Sequence, residues 1–390
     1  MSLDLQKART IIREGGFSGW LLYNIFHRDE IADLMLDVPR ERTNTRPWVC
    51  LLSADGPPLK IVHRIEASIL QHVPGETILY STGAEFEAAL SRALPRGGTI
   101  AADYSSTIPV GSYLDHGTAL LLRSLGVSLA PAENLVSRSL GALDDEGRRS
   151  HEAAAMVLYE SVAGAWARLC REIRDGRTIT EGDVQEWVLR SISSAGLMSD
   201  APPIVGAGRH TADPHFSVDG RGAALEQGDL VQFDIWAKER TPGAVYADIS
   251  WLGVCAPSPA PLQQRLFEAV RDAREAAVSL LQRRLADATP VSGAEVDRVA
   301  RQMLVDRGFT RGIKHRTGHS IGARVHGYGV NLDSVEFPDE RILTEGACFS
   351  VEPGLYLEEL GMRTEIDCLI HDGKLRITGT GRQFAMLTTA

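Results

Sequence analysis

The stretch "VQFDIWAKERTPGAVYADISW", from Val231 to Trp251, sets Asp234 between Phe233 and Ile235 and Asp248 ahead of Ile249, inside two strand-like runs. A lone carboxylate in apolar surroundings costs several kcal/mol, so these two acids need a cation, a donor network or a proton. A second pair stands further on, Glu352 in "FSVEPG" and Glu365 in "GMRTEI". "LEQGDLVQFDI" aligns without gaps on "LTEGACFSVEP", which puts Asp234 on Glu352, and Asp248 and Glu365 follow at nearly the same interval. That spacing fits two β-hairpins, each offering two carboxylates to one place. Four massed carboxylates raise each other's pKa and do not all stay ionised unaided; two divalent cations would cancel them. Between the later acids and the earlier ones lies "HRTGHSIGARVHGYG", with His315, His319 and His326 in a frame of Gly318, Gly322 and Gly327. Imidazole is the commonest neutral metal ligand. One histidine with four carboxylates suits manganese, with cobalt, zinc or iron as alternatives, and the other histidines are left for substrate. A structural hydrogen bond would explain His315 equally well.

The elements that position these residues also repeat. "HEAAAMVLYESVAGAWARLCREIRDG" reads as a long amphipathic helix with Met156, Val162, Trp166 and Leu169 on its apolar stripe, stopped at Gly176. "TEGDVQEWVLRSISSAGL" follows, with Thr180 as N-cap and Asp183 answering it. The same order recurs in "APLQQRLFEAVRDAREAAVSLLQRRL" and "SGAEVDRVARQMLVDRG", the latter with Ser292 and Glu295 in capping-box spacing. Two helices precede the strands in each half. Upstream, helical patches ("LQKARTIIREGG", "EFEAALSRAL", "TALLLRSLG") alternate with short apolar strands ("GWLLYN", "WVCLLSA", "PLKIVHR", "GTIAADY"), the pattern of a small α/β domain. The expected division is an α/β domain over 1–142, a break at "SLGALDDEGRRS", and a second domain over 150–390.

Composition bounds the partners. At 390 residues the net charge is -10, with 44% apolar and 24% charged residues, so nucleic acid and anionic membranes are excluded as partners. Five scattered cysteines without a C-x-x-C pair suit free thiols in a reducing compartment. The opening "MSLDLQKARTIIREGG" lacks the layout of a signal peptide, and no run approaches the roughly 18 apolar residues of a spanning helix. A cytoplasmic protein is expected.

With those residues in hand, the C-terminal portion resembles the pita-bread metallopeptidases, among them Xaa-Pro dipeptidases, aminopeptidase P, methionine aminopeptidases and creatinase. The family pattern appears here as "FDI", "ADIS", "HRTGHSIG", "VEPG" and "GMRTE", in order, over roughly residues 150–370. The resemblance implies an α/β (α+β) chain: a creatinase-like N-terminal domain, then a pseudo-twofold pita-bread catalytic domain. It implies Asp234, Asp248, His319, Glu352 and Glu365 as metal ligands, and His215 and His326 as substrate and transition-state contacts. Glu352 would shuttle a proton, and Arg363 would either pair with a carboxylate beside the metals or bind a substrate carboxylate. The implied reaction is hydrolysis of the bond before proline in a small Xaa-Pro peptide by hydroxide held between two divalent ions. Xaa-Pro dipeptidase is the leading activity and aminopeptidase P the alternative, with non-peptidase chemistry or a catalytically dead interaction protein behind them. The N-terminal domain argues against methionine removal.

Family dimers suggest a homodimer, with "RERTNTRPW" (Arg40 to Trp48) reaching a partner's site or else forming a plain surface loop. Several positions depart from the family pattern. Ser250 is followed by "WLG" where an arginine is frequent two residues on, the frequent V-H-E is "VHG" at Gly327, and an asparagine common five residues before His215 is His210. None of these removes a metal ligand; each reshapes the substrate side.

Overall fold

The computed structural model describes residues 4–95 and 97–389, so Met1–Leu3 at the start of the expected first domain, Arg96 and Ala390 lie outside the described residues. The chain forms two compact units, one ending at Leu140 and the other beginning at Gly141. The first unit runs α1 (Leu5–Glu14), β1 (Gly19–Asn24), α2 (Glu30–Leu36), β2 (Trp48–Ser53), β3 (Leu59–His63), β4 (Glu76–Tyr80), α3 (Gly83–Ala93), β5 (Thr99–Ala102), α4 (His116–Ser124), β6 (Ser128–Pro131) and α5 (Glu133–Ser139). Its sheet order is β4-β3-β2-β1-β5-β6. The β1–β2 and β2–β3 pairs are antiparallel and the outer pairs parallel. Thr82 and Glu85 close a reciprocal capping box on α3. The Arg40–Trp48 stretch is tied to its own unit: Arg40 pairs with Glu30, the backbone N–H groups of Thr45 and Arg46 donate to Glu66, and Trp48 is buried in β2.

The second unit runs α6 (Asp145–Arg174), α7 (Glu181–Ser194), β7 (Leu197–Met198), β8 (Ile204–Ala207), β9 (Leu230–Glu239) and β10 (Ala247–Val254). It then repeats a helix pair and strands: α8 (Pro261–Ala286), α9 (Gly293–Asp306), β11 (Cys348–Val351), β12 (Gly354–Tyr356), β13 (Gly361–Arg363), β14 (Ile366–His371), β15 (Lys374–Ile377) and β16 (Leu387–Thr388). β9 and β10 are antiparallel, as are β11 and β14, while β16 returns parallel to β10. Two apolar cores form, the second also taking in Leu230 and Leu252 from the first half. Val162, Val184, Phe233 and Ile249 belong to the first, and Phe267, Val296, Phe349 and Ile366 to the second. Burial of a side chain of this size contributes about 1.5–3 kcal/mol.

Three expectations change. The segment "SLGALDDEGRRS" is not a break throughout, because Asp144 accepts the Gly147 N–H and caps a helix that starts at Asp145. Met156 is 41% exposed, one position off the buried stripe of Ala155, Leu158, Val162, Trp166 and Leu169; successive helical residues point about 100° apart. Ser292 caps α9, but Glu295 turns to Arg284 instead of answering it. The Thr180–Asp183 box on α7 is reciprocal, as its spacing predicts. All five cysteines are free thiols. Among the described residues, no helix is long and apolar enough to cross a membrane.

Candidate metal centre

Strand alternation sorts the first acid pair. On β9, Phe233 and Ile235 enter the first core, so Asp234 points to the other face. On β10, Ile249 enters the same core, leaving Asp248 and Ser250 on the opposite side, and Ser250 lies across from Asp234 in register. In the second half, Val351 pairs with Ile366, which places Glu352 just beyond β11 and Glu365 just before β14. The two hairpins are stitched together at these acids. The Glu365 N–H donates to the Ser250 carbonyl at 3.0 Å, and the Asp248 N–H donates to Asp367 Oδ2 at 2.7 Å.

His319 is brought in by a close backbone approach at Gly318, where a Cβ would stand 2.0 Å from the Ser350 carbonyl oxygen. The His319 N–H donates to Ser350 Oγ at 3.0 Å, and the Ser350 N–H returns a bond to the His319 carbonyl at 2.9 Å. His319 Nε2 then lies 3.7 Å from Asp248 Oδ2 and 3.5 Å from Glu352 Oε1. Asp248, His319 and Glu365 each offer a ligand atom within 4.8 Å of the others. Asp234 joins through Ser250, whose Oγ is 2.6 Å from Asp234 Oδ1 and 3.0 Å from Glu365 Oε2.

The electrostatics are unbalanced in a way that invites cations. Burial, and then the neighbouring carboxylates, push Asp248 and Glu365 well above the usual range. Burial, helped by the Arg316 cation, pushes His319 down to about 3, so its imidazole is neutral and free to ligate. Asp248 Oδ1 and Glu365 Oε1 are buried and have no hydrogen-bond partner among the described residues. Arg363 is the one arginine or lysine within salt-bridge distance of the four acids among those residues, pairing with Asp234 and standing 3.7 Å from Glu352 Oε2. Four clustered carboxylates, one guanidinium and two orphaned oxygens make a donor set that fits hard divalent cations.

The remaining expected residues lie around this cluster. His326 packs edge-on against His319 with ring centroids 4.3 Å apart. It is exposed, yet partial desolvation of its ring, with His319 beside it, pushes it down to about 4. His215 is exposed; its backbone N–H donates to Asp213 and its ring makes no hydrogen bond among the described residues. Arg363 is buried, donating to Ser250 Oγ at 3.1 Å and to the Tyr356 hydroxyl at 2.9 Å. His315 does not meet the carboxylates directly. Its Nδ1 donates to the Arg316 carbonyl, so its Nε2 accepts from Tyr356 OH at 3.0 Å.

Sequence reasoning passed over Ser250 as a contact, Gln232, Asp367 and Tyr356. The first three each lie two residues from an acid on or beside a strand (Asp248, Asp234 and Glu365), so a period-of-two search around the acids would have found them. Gln232 holds the Arg363 backbone through both its N–H (2.9 Å) and its carbonyl (3.1 Å). Tyr356 carried no such signal.

A duplicated helix-pair-and-hairpin unit closing on buried acids and a neutral histidine is the framework of a metal-dependent enzyme. The chain matches the model of metallopeptidase family M24 over residues 148–372, more than half its length, and it belongs to that family. An Xaa-Pro dipeptidase of Lactobacillus helveticus is 32% identical over 196 residues, 49% of this chain and 49% of that protein. The chain thus spans about half the length of the curated Xaa-Pro dipeptidases of this kind that it matches. A probable dipeptidase PepE of Mycobacterium tuberculosis is 27% identical over 344 residues, 87% of this chain and 85% of that protein. In three dimensions, dipeptidase PepE from Mycobacterium ulcerans superposes with a TM-score of 0.72 at 23% identity, over 99% of this chain and 96% of that one, a likeness of fold.

Proposed function

We propose that this chain is a metal-dependent Xaa-Pro dipeptidase that hydrolyses the amide bond preceding proline in small peptides. The observation that carries this reading is the buried Asp248–His319–Glu365 cluster with its two unpartnered carboxylate oxygens, in a member of a metallopeptidase family. Asp234, Asp248, His319, Glu352 and Glu365 would hold two divalent ions, with Mn²⁺ favoured by four carboxylates and one imidazole. When bound, the ions supply Lewis acidity that acidifies a water and polarises the scissile carbonyl.

The protein's own groups do the rest. Glu352 is the least enclosed of the four acids, with 13% of its side chain exposed, so it faces the space where substrate arrives. Its carboxylate accepts the proton of the attacking water and returns it to the departing imide nitrogen. His326 donates to the oxyanion that develops on the carbonyl. His215, on its exposed loop, orients the peptide. Arg363 fixes Asp234 and neutralises part of the acidic charge, so Asp234 keeps its orientation through the cycle. An imide nitrogen carries no hydrogen, and a shaped pocket beside the centre selects the ring that general peptidases fail to hold. Residues 150–390 form the catalytic domain and 1–142 the accessory domain of a cytoplasmic homodimer.

The test is hydrolysis of Ala-Pro, Met-Pro, Ala-Pro-Ala and Ala-Ala by metal-stripped protein, with and without Mn²⁺. Restoration of Ala-Pro and Met-Pro cleavage alone is the expected result. Cleavage of Ala-Pro-Ala would make the enzyme an aminopeptidase P, and no cleavage with any divalent metal would remove the peptidase reading.

A further inference from the structure

Glu181 opens α7 and is completely buried, so its carboxylate has to be met by donors. It accepts from the N–H groups of Ala207 at 2.8 Å and Ala223 at 2.7 Å. Its third partner is His210 Nδ1, also at 2.8 Å. An ionised carboxylate offers only lone pairs, so His210 Nδ1 carries a proton and the tautomer is fixed. The opposite nitrogen, Nε2, has no hydrogen-bond partner among the described residues, and the His210 side chain keeps 36% of its surface exposed. Phe216 holds the ring by stacking, with centroids 4.4 Å apart and planes within 20°.

His210 lines a small, open pocket together with Asp213, Phe216, Gln232, Tyr356 and Arg363. Arg363 belongs to both places, because it also grips Asp234 at the acidic centre. On the cavity side its guanidinium is committed to Tyr356 and to the Pro214 carbonyl. Among the described residues, His210 Nε2 is the side-chain nitrogen on this wall without a hydrogen-bond partner; the wall also carries the exposed carboxylate of Asp213, whose Oδ1 accepts the His215 N–H. In the neutral ring Nε2 is an acceptor; a proton placed there, favoured by a carboxylate on each side of the ring, turns it into a directed donor.

We propose that His210, oriented by Glu181 and Phe216, is a specificity residue that takes a carboxylate of the peptide at Nε2, forming a Glu181–His210–carboxylate relay. It rests on the dipeptidase reading of the adjoining centre. In the bound state the imidazolium lies between two carboxylates, one buried and permanent and one brought by the substrate. Two groups of an Xaa-Pro peptide carry that chemistry, the free C-terminus and an acidic side chain on the first residue.

The experiment uses the full chain loaded with Mn²⁺, as wild type and as His210→Phe, which keeps the stack on Phe216 and leaves Glu181 its two backbone donors. Substrates are Ala-Pro, Ala-Pro-amide and Asp-Pro. If the C-terminus is the ligand, wild type loses about 10- to 100-fold in kcat/KM from Ala-Pro to its amide, chiefly in KM, and His210→Phe levels the two. If the side chain is the ligand, wild type prefers Asp-Pro over Ala-Pro and the variant loses that preference. A variant that stays active with both ratios within twofold of wild type overturns the proposal and leaves the dipeptidase reading intact. If wild type cleaves none of these, the dipeptidase reading fails and a turnover-independent readout decides on His210. Its ring signals by NMR should move with N-acetylproline or N-acetylaspartate and not with the corresponding amides. Equal movement with acids and amides, or none with either acid, overturns it.

Discussion

Ser250 is completely buried between the two acid pairs, and its one hydroxyl hydrogen cannot serve both of them. Asp234 Oδ1 at 2.6 Å is the nearer acceptor and Glu365 Oε2 at 3.0 Å the further, so the hydrogen goes to Asp234 while Arg363 Nε donates to the same hydroxyl oxygen. Ser250→Ala therefore removes two charge-assisted hydrogen bonds and leaves Arg363 Nε with Glu352 Oε2, 3.7 Å away, as its nearest acid. Each such bond contributes about 1.5–3 kcal/mol. The direct Arg363–Asp234 pair survives the change and recovers part of the loss, so a net of about 2–3 kcal/mol is expected, equivalent to about 30- to 150-fold. The assay is kcat/KM on Ala-Pro with saturating Mn²⁺, together with Mn²⁺ affinity from titration of stripped protein. Both should fall, because Asp234 and Arg363 would lose the hydroxyl that fixes them beside the acids. A Ser250→Ala enzyme within twofold of wild type in both quantities would refute the view that this hydroxyl sets the geometry of the acids.

Further outcomes follow from the same contacts. Glu352→Gln keeps the shape and loses the proton acceptor, so kcat should drop by about 10²- to 10⁴-fold with KM little changed; an equal loss carried in KM would move Glu352 out of proton transfer. Gly318→Ala forces apart the His319 and Ser350 backbones, and urea melts should show about 1–3 kcal/mol of lost stability with weaker Mn²⁺ binding, whereas a neutral result would deny the close approach its role. Mn²⁺ at 100 times its Kd should stabilise the chain against thermal unfolding by about 2.7 kcal/mol for each of the two sites, and chelation should abolish the gain. In the first unit, burial first and the Asp33 charge after it push the Asp29 carboxyl up to about 7. Its unfolded value is about 3.9, so the folded state holds the proton more tightly between those values and stability falls as pH rises through that window. Asp29→Asn should flatten that fall in Mn²⁺-loaded protein while keeping the cap on α2; an unchanged pH profile would dismiss Asp29 as its source.

The four acids and His319 could be found from sequence because their types are improbable in apolar strands and because the halves repeat in register. Their convergence, by contrast, depends on β10 meeting β14, a contact between halves that no local pattern encodes. Glu181 was hidden for a different reason. In "TEGDV" it looks like an ordinary acid in the first turn of a helix, and only the fold reveals that it is enclosed and answered by His210. In the first unit, β4 and β6 went unread because they are short edge strands with little buried surface, so the alternation that exposes a strand is weak in them. Met156 was drawn into the α6 stripe by its hydrophobicity, although its angular position puts it in solvent.

The stitching of β10 to β14 also governs the order in which the molecule can become competent. Ser250 and Glu365 are 115 residues apart in the chain, and Asp248 and Asp367 are 119 apart. During synthesis the first hairpin emerges with two acids and no place to share their charge, and it waits for the second half before either Asp248 or Ser250 has its partners. Each half is thus only one jaw of the centre. A divalent ion held between the jaws would act as a rivet, resisting their separation as well as serving the chemistry, and loss of that ion would loosen the seam along which the two halves were joined.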